Sequence, residues 1–284
     1  MKLKILLAIL AAGAVIALGW ALPATATAET VITIGGTGSA LGTMKQIVKE
    51  YENSHPGIRI RILPSLGSTA GIKAVLGGGI DLALASRPLT PSERQLGAVQ
   101  VVYAKSPFVF ITNLRVTKKD ISTRELENIY HNPTARWADG SRIRLILRPE
   151  KDIDTTLIRH LSPAMDKAVT AAHARSGMIL AVTDQESTDA LARTPGALGS
   201  ATLCEIISEN RPVNVLSFNG VKPGSKTMAD NSYPLVKSFY LVTTPKTPPE
   251  ARQFAEFVRS PVAGRILTKT GSMVVKEETN GDVQ

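Results

Sequence analysis

The 284-residue sequence holds one cysteine, Cys204. A lone thiol closes no intramolecular disulfide, so packing must stabilise the chain, which this length permits. Cys204 itself reads as a small buried hydrophobe. Aromatic residues make up only 5%, so the cores must be aliphatic. The basic residues are scattered, with few aromatics among them on which bases could stack, so no nucleic-acid partner is expected. His55, His131, His160 and His173 stand apart from one another. With a single cysteine they offer no zinc-ligand spacing, and neither metal nor other cofactor is expected. The sequence lacks G-x-S-x-G, H-E-x-x-H and Ser-x-x-Lys, the signatures that would announce a nucleophile elbow, a zinc protease or a penicillin-recognising enzyme. "KTG" at 269–271 therefore stands without its nucleophile. "GVKPGSKT" at 220–227 misses a phosphate-binding P-loop by one residue, Ser225 standing where glycine belongs. Asp81 could be a general base, but in "GIDLALA" it reads better as a group that orients a turn.

One long apolar run is present, and it is N-terminal. "MKLK" precedes "ILLAILAAGAVIALGWAL", and "PATATA" follows. A basic start, an apolar stretch and an Ala-Thr-Ala site make a secretory signal peptide over residues 1–28, with a mature start at Glu29. The alternative is an uncleaved anchor, since a run of about 18 apolar residues nearly spans a bilayer. The expected location is periplasmic or secreted. Removing the two lysines of 1–28 from the 33 basic residues leaves 31 against 24 acids, a net +7 that attracts anions.

The rest alternates strands with helices. "VITI" is a β-branched strand, followed by Leu41, Met44, Ile47, Val48 and Tyr51 at helical spacing. Ile58, Ile60 and Ile62 alternate with Arg59 and Arg61, a half-buried strand; "SLGSTAG" and a short helix with Ile72, Val75 and Leu76 come next. "IDLALA", "QVVYA", "FVFIT", "IRLILR", "PVNVLSFNG" and "SFYLVTT" read as further strands. Ser122 and Glu125 form a capping box at the start of a helix. The pattern is that of an α/β protein with a largely parallel sheet. Its simplest division is two lobes, 29–113 with 236–284 and 114–235, the chain crossing between them in strands.

Three loops between strand and helix share one character: "GGTGSA", "LGSTAGI" and "RPEKDIDTT". Each sets hydroxyls or an acidic cap at a helix N-terminus, where unpaired N–H groups and the helix dipole favour an anion. Any one of them could be plain capping; three together suggest convergence on one ligand. Arg87 and Arg148 each end a strand on the side where parallel α/β sheets bind ligands, and a guanidinium there can clamp an oxyanion.

The stretch from "GGTGSALGTMKQIVKEYENSHPG" through "SLGSTAGIK" to "SRPLTPSE", with "ALGSATL" and "FNGVKPGSKTMADNSYPLVKSFYLVTT", resembles the periplasmic phosphate-binding proteins of ABC uptake systems. The resemblance implies a two-lobed, type II periplasmic-binding-protein fold, each lobe a mixed, mostly parallel sheet flanked by helices and closing on ligand by hinge motion. It implies a monomer without enzymatic activity that captures inorganic phosphate or a related oxyanion for an ABC permease in the inner membrane. The family's ligand groups fall on Gly38, Ser39 and Ala40, on Ser68 and Thr69, and on Arg148 with Ile153, Asp154 and Thr155. Two positions depart from it. Arg87 stands at or beside the aspartate that accepts a phosphate proton, and Ile153 stands where a serine belongs. Asp154 is then the candidate acceptor, and discrimination against sulfate is expected to be weaker. An oxyanion sensor or adhesion module on the same fold is the alternative; a phosphoester hydrolase is a more distant one.

Overall fold

The computed structural model describes residues 29–275. The expected signal peptide and the final residues, 276–284, lie outside this range. The first strands along the chain are β1 (Thr30–Gly36), β2 (Ile58–Ile62), β3 (Leu82–Ala85) and β4 (Val99–Asn113). Then come β5 (Asp120–Ile121), β6 (Arg144–Leu147), β7 (Ile179–Leu180), β8 (Ala197–Thr202), β9 (Val213–Val215), β10 (Ser217–Phe218), β11 (Val236–Thr243) and β12 (Met273–Val274). Ten strands share one sheet in the order β2-β1-β3-β11-β4-β8-β6-β7, with β9 and β12 also on β4. β1 is parallel to β2 and β3, and β6 is parallel to β7 and β8; β11 and β4 run antiparallel to their neighbours.

The helices are α1 (Leu41–Ser54), α2 (Gly67–Gly77), α3 (Pro91–Gln95), α4 (Thr123–His131), α5 (Ile153–Arg159), α6 (Pro163–His173), α7 (Asp184–Arg193) and α8 (Leu203–Ser208). After them come α9 (Ser225–Ala229), α10 (Pro249–Val258) and α11 (Pro261–Lys269). No helix among the described residues is long and apolar enough to cross a membrane. The Ser122–Glu125 capping box opens α4 as its sequence predicts.

Period two decides which face each side chain covers. In β3, Leu82 and Leu84 join the core beneath α1, α10 and α11, while Ala83 and Ala85 join the one beneath α2. Leu241 and Val242 of β11 divide in the same way. Both faces of this half-sheet are therefore covered, and β3 is buried along its whole length. A separate core draws its residues from 108–235. Cys204 is buried as expected but packs with the first group, its thiol 3.4 Å from the Ser39 carbonyl. Asp81 has a structural task, its carboxylate accepting the Thr33 N–H at 2.7 Å.

"QVVYA" and "FVFIT" are one strand, not two. β4 runs unbroken through Lys105, Ser106 and Pro107 because its partner changes there: residues up to Pro107 pair with β11, those from Phe108 with β8. Proline lacks an N–H, and the change of partner is where a ladder bond is most easily forgone. The expected single strand over "PVNVLSFNG" is instead two short ones, β9 and β10.

α2 lies directly on the end of β1. A Cβ added to Gly71 would stand 2.7 Å from the Gly36 Cα, whereas one on Gly77 would meet nothing within 4 Å. Gly71→Ala is expected to cost about 1–3 kcal/mol by overpacking backbone against backbone, and Gly77→Ala to be close to neutral. Urea unfolding checks both, as a fall in midpoint at constant slope for the first variant alone.

Candidate functional site

The N-terminal ends of α2, α5 and α7 and the C-terminal ends of β3 and β6 surround one cavity of ≈ 470 Å³. On one wall stand Thr37, Ser68, Thr69, Ser86, Arg87 and Lys237; on the other stand Arg148, Lys151, Asp152 and Asp184.

The first wall is a chain of hydroxyls. α2 begins at Gly67, and no side chain caps it. Gly67 turns the chain with φ +73°, a conformation glycine adopts without strain. Ser68 and Thr69 are thereby placed in the first helical turn, facing the cavity. The Ser68 hydroxyl accepts the Ser86 N–H at 2.9 Å and lies 3.0 Å from the Ser86 hydroxyl, which in turn accepts from Thr37 at 3.2 Å.

Arg87 borders the cavity but is not a free cation. Its guanidinium donates to both Glu93 oxygens, at 2.7 and 2.9 Å, and to Thr69. That bidentate bond, with the N–H and hydroxyl of Thr90, holds the Glu93 carboxyl at about 2. A folded-state value below the ordinary 4.5 stabilises the fold above pH 4.5, and the gain is lost as pH falls toward 2. Glu93→Gln should therefore lower the melting temperature at pH 7, with the difference from wild type closing between pH 4.5 and 2. Thermal melts across that range check it.

The second wall is built on charge. Arg148 follows β6, its side chain only 4% exposed. It donates to the Ala181 carbonyl at 3.1 Å and to Asp152 at 3.0 Å, while its Nε, though buried, has no hydrogen-bond partner. Asp152 also caps α5, accepting the Asp154 N–H. Asp184 opens α7 behind a Thr183–Glu186 capping box. Lys237 is the second residue of β11, 2% exposed, on the side of the strand that carries Phe239 and Leu241.

Behind this wall the charges interlock. The Lys237 ammonium lies 2.5 Å from Asp154, 3.6 Å from Asp184 and 2.9 Å from the Ser39 hydroxyl. The Ser39 hydroxyl donates to Asp184 at 2.7 Å. Burial raises the Asp154 carboxyl to about 6 against the pull of Lys237. Burial also opposes ionisation of Asp184, but Lys237, Arg148 and the Ser39 donors outweigh it and hold that carboxyl at about 2. Burial disfavours the Lys237 charge too, yet Asp154 and Asp184 overcome it and raise its pKa. Glu205, fully buried nearby, is driven well above the usual carboxylate value by burial and by Asp184 and Glu209.

Of the residues that the sequence nominates, Ser68, Thr69, Arg87, Arg148 and Ile153 line the cavity. Gly38, Ser39 and Ala40 form a buried 3-10 turn ahead of α1. The Ser39 hydroxyl is engaged by Asp184 and Lys237, and the Gly38 carbonyl accepts from Gln185. Asp154 lies behind the lining against Lys237, and the Thr155 hydroxyl donates to the Arg148 carbonyl. Among the lining residues that the sequence does not nominate are Asp184, Lys237 and Ser86. The first two left a trace. "TDQE" at 183–186 is a capping box that sets Asp184 at a helix start. Alternation along "VKSFYLV" puts Lys237 in phase with Phe239 and Leu241, a buried position that a lysine occupies only when paired.

The description "PBP superfamily domain" matches residues 23–262. The phosphate-binding protein PstS of Borreliella burgdorferi is 23% identical over 255 residues, 87% of this chain and 91% of that protein. A Clostridium perfringens protein solved with bound phosphate superimposes with a TM-score of 0.74 at 19% identity, covering 87% of this chain and all of the other. The periplasmic molybdate-binding protein of Azotobacter vinelandii superimposes at 0.60 and 17% identity, over 86% of this chain and all of its own.

Proposed function

Because the chain belongs to the PBP superfamily, we propose that it is a solute-binding protein that captures phosphate, or a similar tetrahedral oxyanion, for an ABC transporter. One observation carries this reading: hydroxyls in the first turn of α2, Ser86 after β3 and the buried Arg148 after β6 converge on a single cavity. Hydroxyl donors, helix N–H groups and a fixed guanidinium suit the several oxygens of a tetrahedral anion. The PstS relative supports phosphate as the ligand. We take residues 29–113 with 236–284 as one lobe and 114–235 as the other, with the cavity between them. Export through the N-terminal signal would place the protein in the periplasm or outside the cell, where an inner-membrane permease is its partner.

Binding is favoured over turnover by the state of Lys237. A lysine 2.9 Å from a serine hydroxyl could in principle act as its base. Asp154 and Asp184 hold this lysine protonated, so it cannot take the Ser39 proton. Calorimetric titration of phosphate and sulfate into the mature protein tests the reading. Saturable heat with phosphate at micromolar concentrations is expected, and silence with every oxyanion sinks it.

A further inference from the structure

The two buried cations at the cavity already have anionic partners. Lys237 is held by Asp154 and Asp184, and Arg148 Nη2 stands 3.0 Å from Asp152 and 3.8 Å from Asp184. Asp184 touches several of the groups an incoming oxyanion would seek. It accepts from Ser39 at the turn that leads into α1, it lies beside both cations, and it lines the cavity. An added Cβ on Gly38 would stand 2.7 Å from its second oxygen, so the carboxylate sits against the backbone of that loop. An anion placed next to cations already neutralised at this range gains little Coulomb energy and meets a repelling carboxylate. The Nε of Arg148, in a side chain 4% exposed, donates no hydrogen bond; its nearest carboxylate oxygen, on Asp154, is 3.9 Å away, beyond hydrogen-bond range, so this N–H can still receive an acceptor.

Resting on the oxyanion reading above, we propose that Asp184 is an internal stand-in for the ligand: it occupies the anion seat and clasps the two lobes together, and the oxyanion binds by displacing it from Lys237 and Ser39. The bonds concerned all cross between the two parts of the chain. Lys237 and Ser39 come from the part with β1 and β11, Asp184 from the part with β6 and α7, and the neighbouring Gln185 adds a 3.0 Å bond to the Gly38 carbonyl. Asp184 is the first residue of its helix; rotating one lobe withdraws it and also parts Lys237 from Asp154, the second carboxylate across the cleft. The clasped form is then a competitor of the bound form, and the apparent affinity is reduced by the fraction of protein it sequesters. Asp184 thereby sets how strongly an anion must bind to be captured.

Asp184→Asn and Asp184→Ala test this by two readouts, with thermal melting to confirm that each variant is folded. Dialysed free of phosphate, the wild-type protein should have the same radius of gyration by X-ray scattering as in saturating phosphate. Both variants should be larger without phosphate and contract when it is added. In calorimetry both should bind phosphate at least about tenfold more tightly than wild type. Unchanged or weaker binding in the variants overturns the proposal, because Asp184 would then be a fixed partner of the ligand. So does a wild-type radius that already equals the variants' in the absence of phosphate. If none of the three proteins takes up phosphate, the ligand reading fails and scattering decides the clasp: expanded variants beside a compact wild type sustain it, and equal radii overturn it.

Discussion

Lys237→Met is expected to lower folding stability by about 3–5 kcal/mol at pH 8, the cost of removing one partner from a buried ion pair. The methionine fits the space but leaves Asp154 and Asp184 without their nearest cation, in a region where all three side chains are at most 4% exposed. Arg148 cannot compensate, standing 3.9 Å from Asp154 and 3.8 Å from Asp184 and already bonded to Asp152. The penalty has a predictable pH dependence. Burial raises the Asp154 carboxyl to about 6 even with Lys237 present, and removing the lysine raises it further. In the wild type the carboxylate is ionised and paired above pH 6; in the variant it must bind a proton or remain charged without a partner. The stability gap between the two proteins therefore grows as pH rises through 6 and narrows below it. Urea unfolding at pH 5 and pH 8 measures the gap at each end. Adding Asp154→Asn to the variant should recover part of the loss at pH 8, because it removes the stranded charge. A gap below about 1 kcal/mol at both pH values would show that the lysine contributes no more than a surface pair.

The same residue marks how far the sequence carries. The alternation of Ile58, Ile60 and Ile62, the helical spacing after "VITI" and the Ser122–Glu125 box each fix an element from local rules, and the structure places those elements accordingly. β4 shows where local rules stop. Proline after "KS" reads as a break, but the strand continues because two different neighbours supply its ladder on either side of Pro107. The candidate site divides in the same way. Ser68, Thr69, Arg87 and Arg148 are recognisable because each stands in a loop whose chemistry is visible in the adjacent residues. Lys237 lies in a strand with no such motif, 83 residues from Asp154 and 53 from Asp184 in sequence, and it meets them only because β11 returns to the middle of the sheet. Arg87 shows the converse: its place after β3 suggests a ligand clamp, whereas Glu93, six residues on, takes both arms of its guanidinium.

That contrast between the two arginines leads to the prediction with the largest effect on binding. Arg148→Lys should weaken phosphate affinity about a hundredfold, or roughly 2.7 kcal/mol, with little change in melting temperature. A guanidinium has five N–H donors in a fixed plane. At Arg148 the scaffold uses Nη1 for the Ala181 carbonyl and Nη2 for Asp152, which locks the plane and leaves the buried Nε without a hydrogen bond, 3.9 Å from Asp154. Lysine keeps the positive charge that Asp152, Asp154 and Asp184 require, so the fold is spared an unpaired buried carboxylate. What it loses is the fork, since a single ammonium cannot hold the Ala181 and Asp152 contacts and also serve a second oxygen of the ligand. Arg148→Ala would confuse the two effects by stranding those carboxylates, which makes lysine the informative change. Arg87→Lys is the matched control. Its guanidinium is held by Glu93 at the rim of the same cavity, so its replacement should alter phosphate affinity by no more than about fivefold, a difference of roughly 1 kcal/mol. Calorimetry on both variants separates the roles. Equal losses would mean that the site responds to total positive charge, whereas a loss confined to Arg148 assigns recognition to the locked guanidinium.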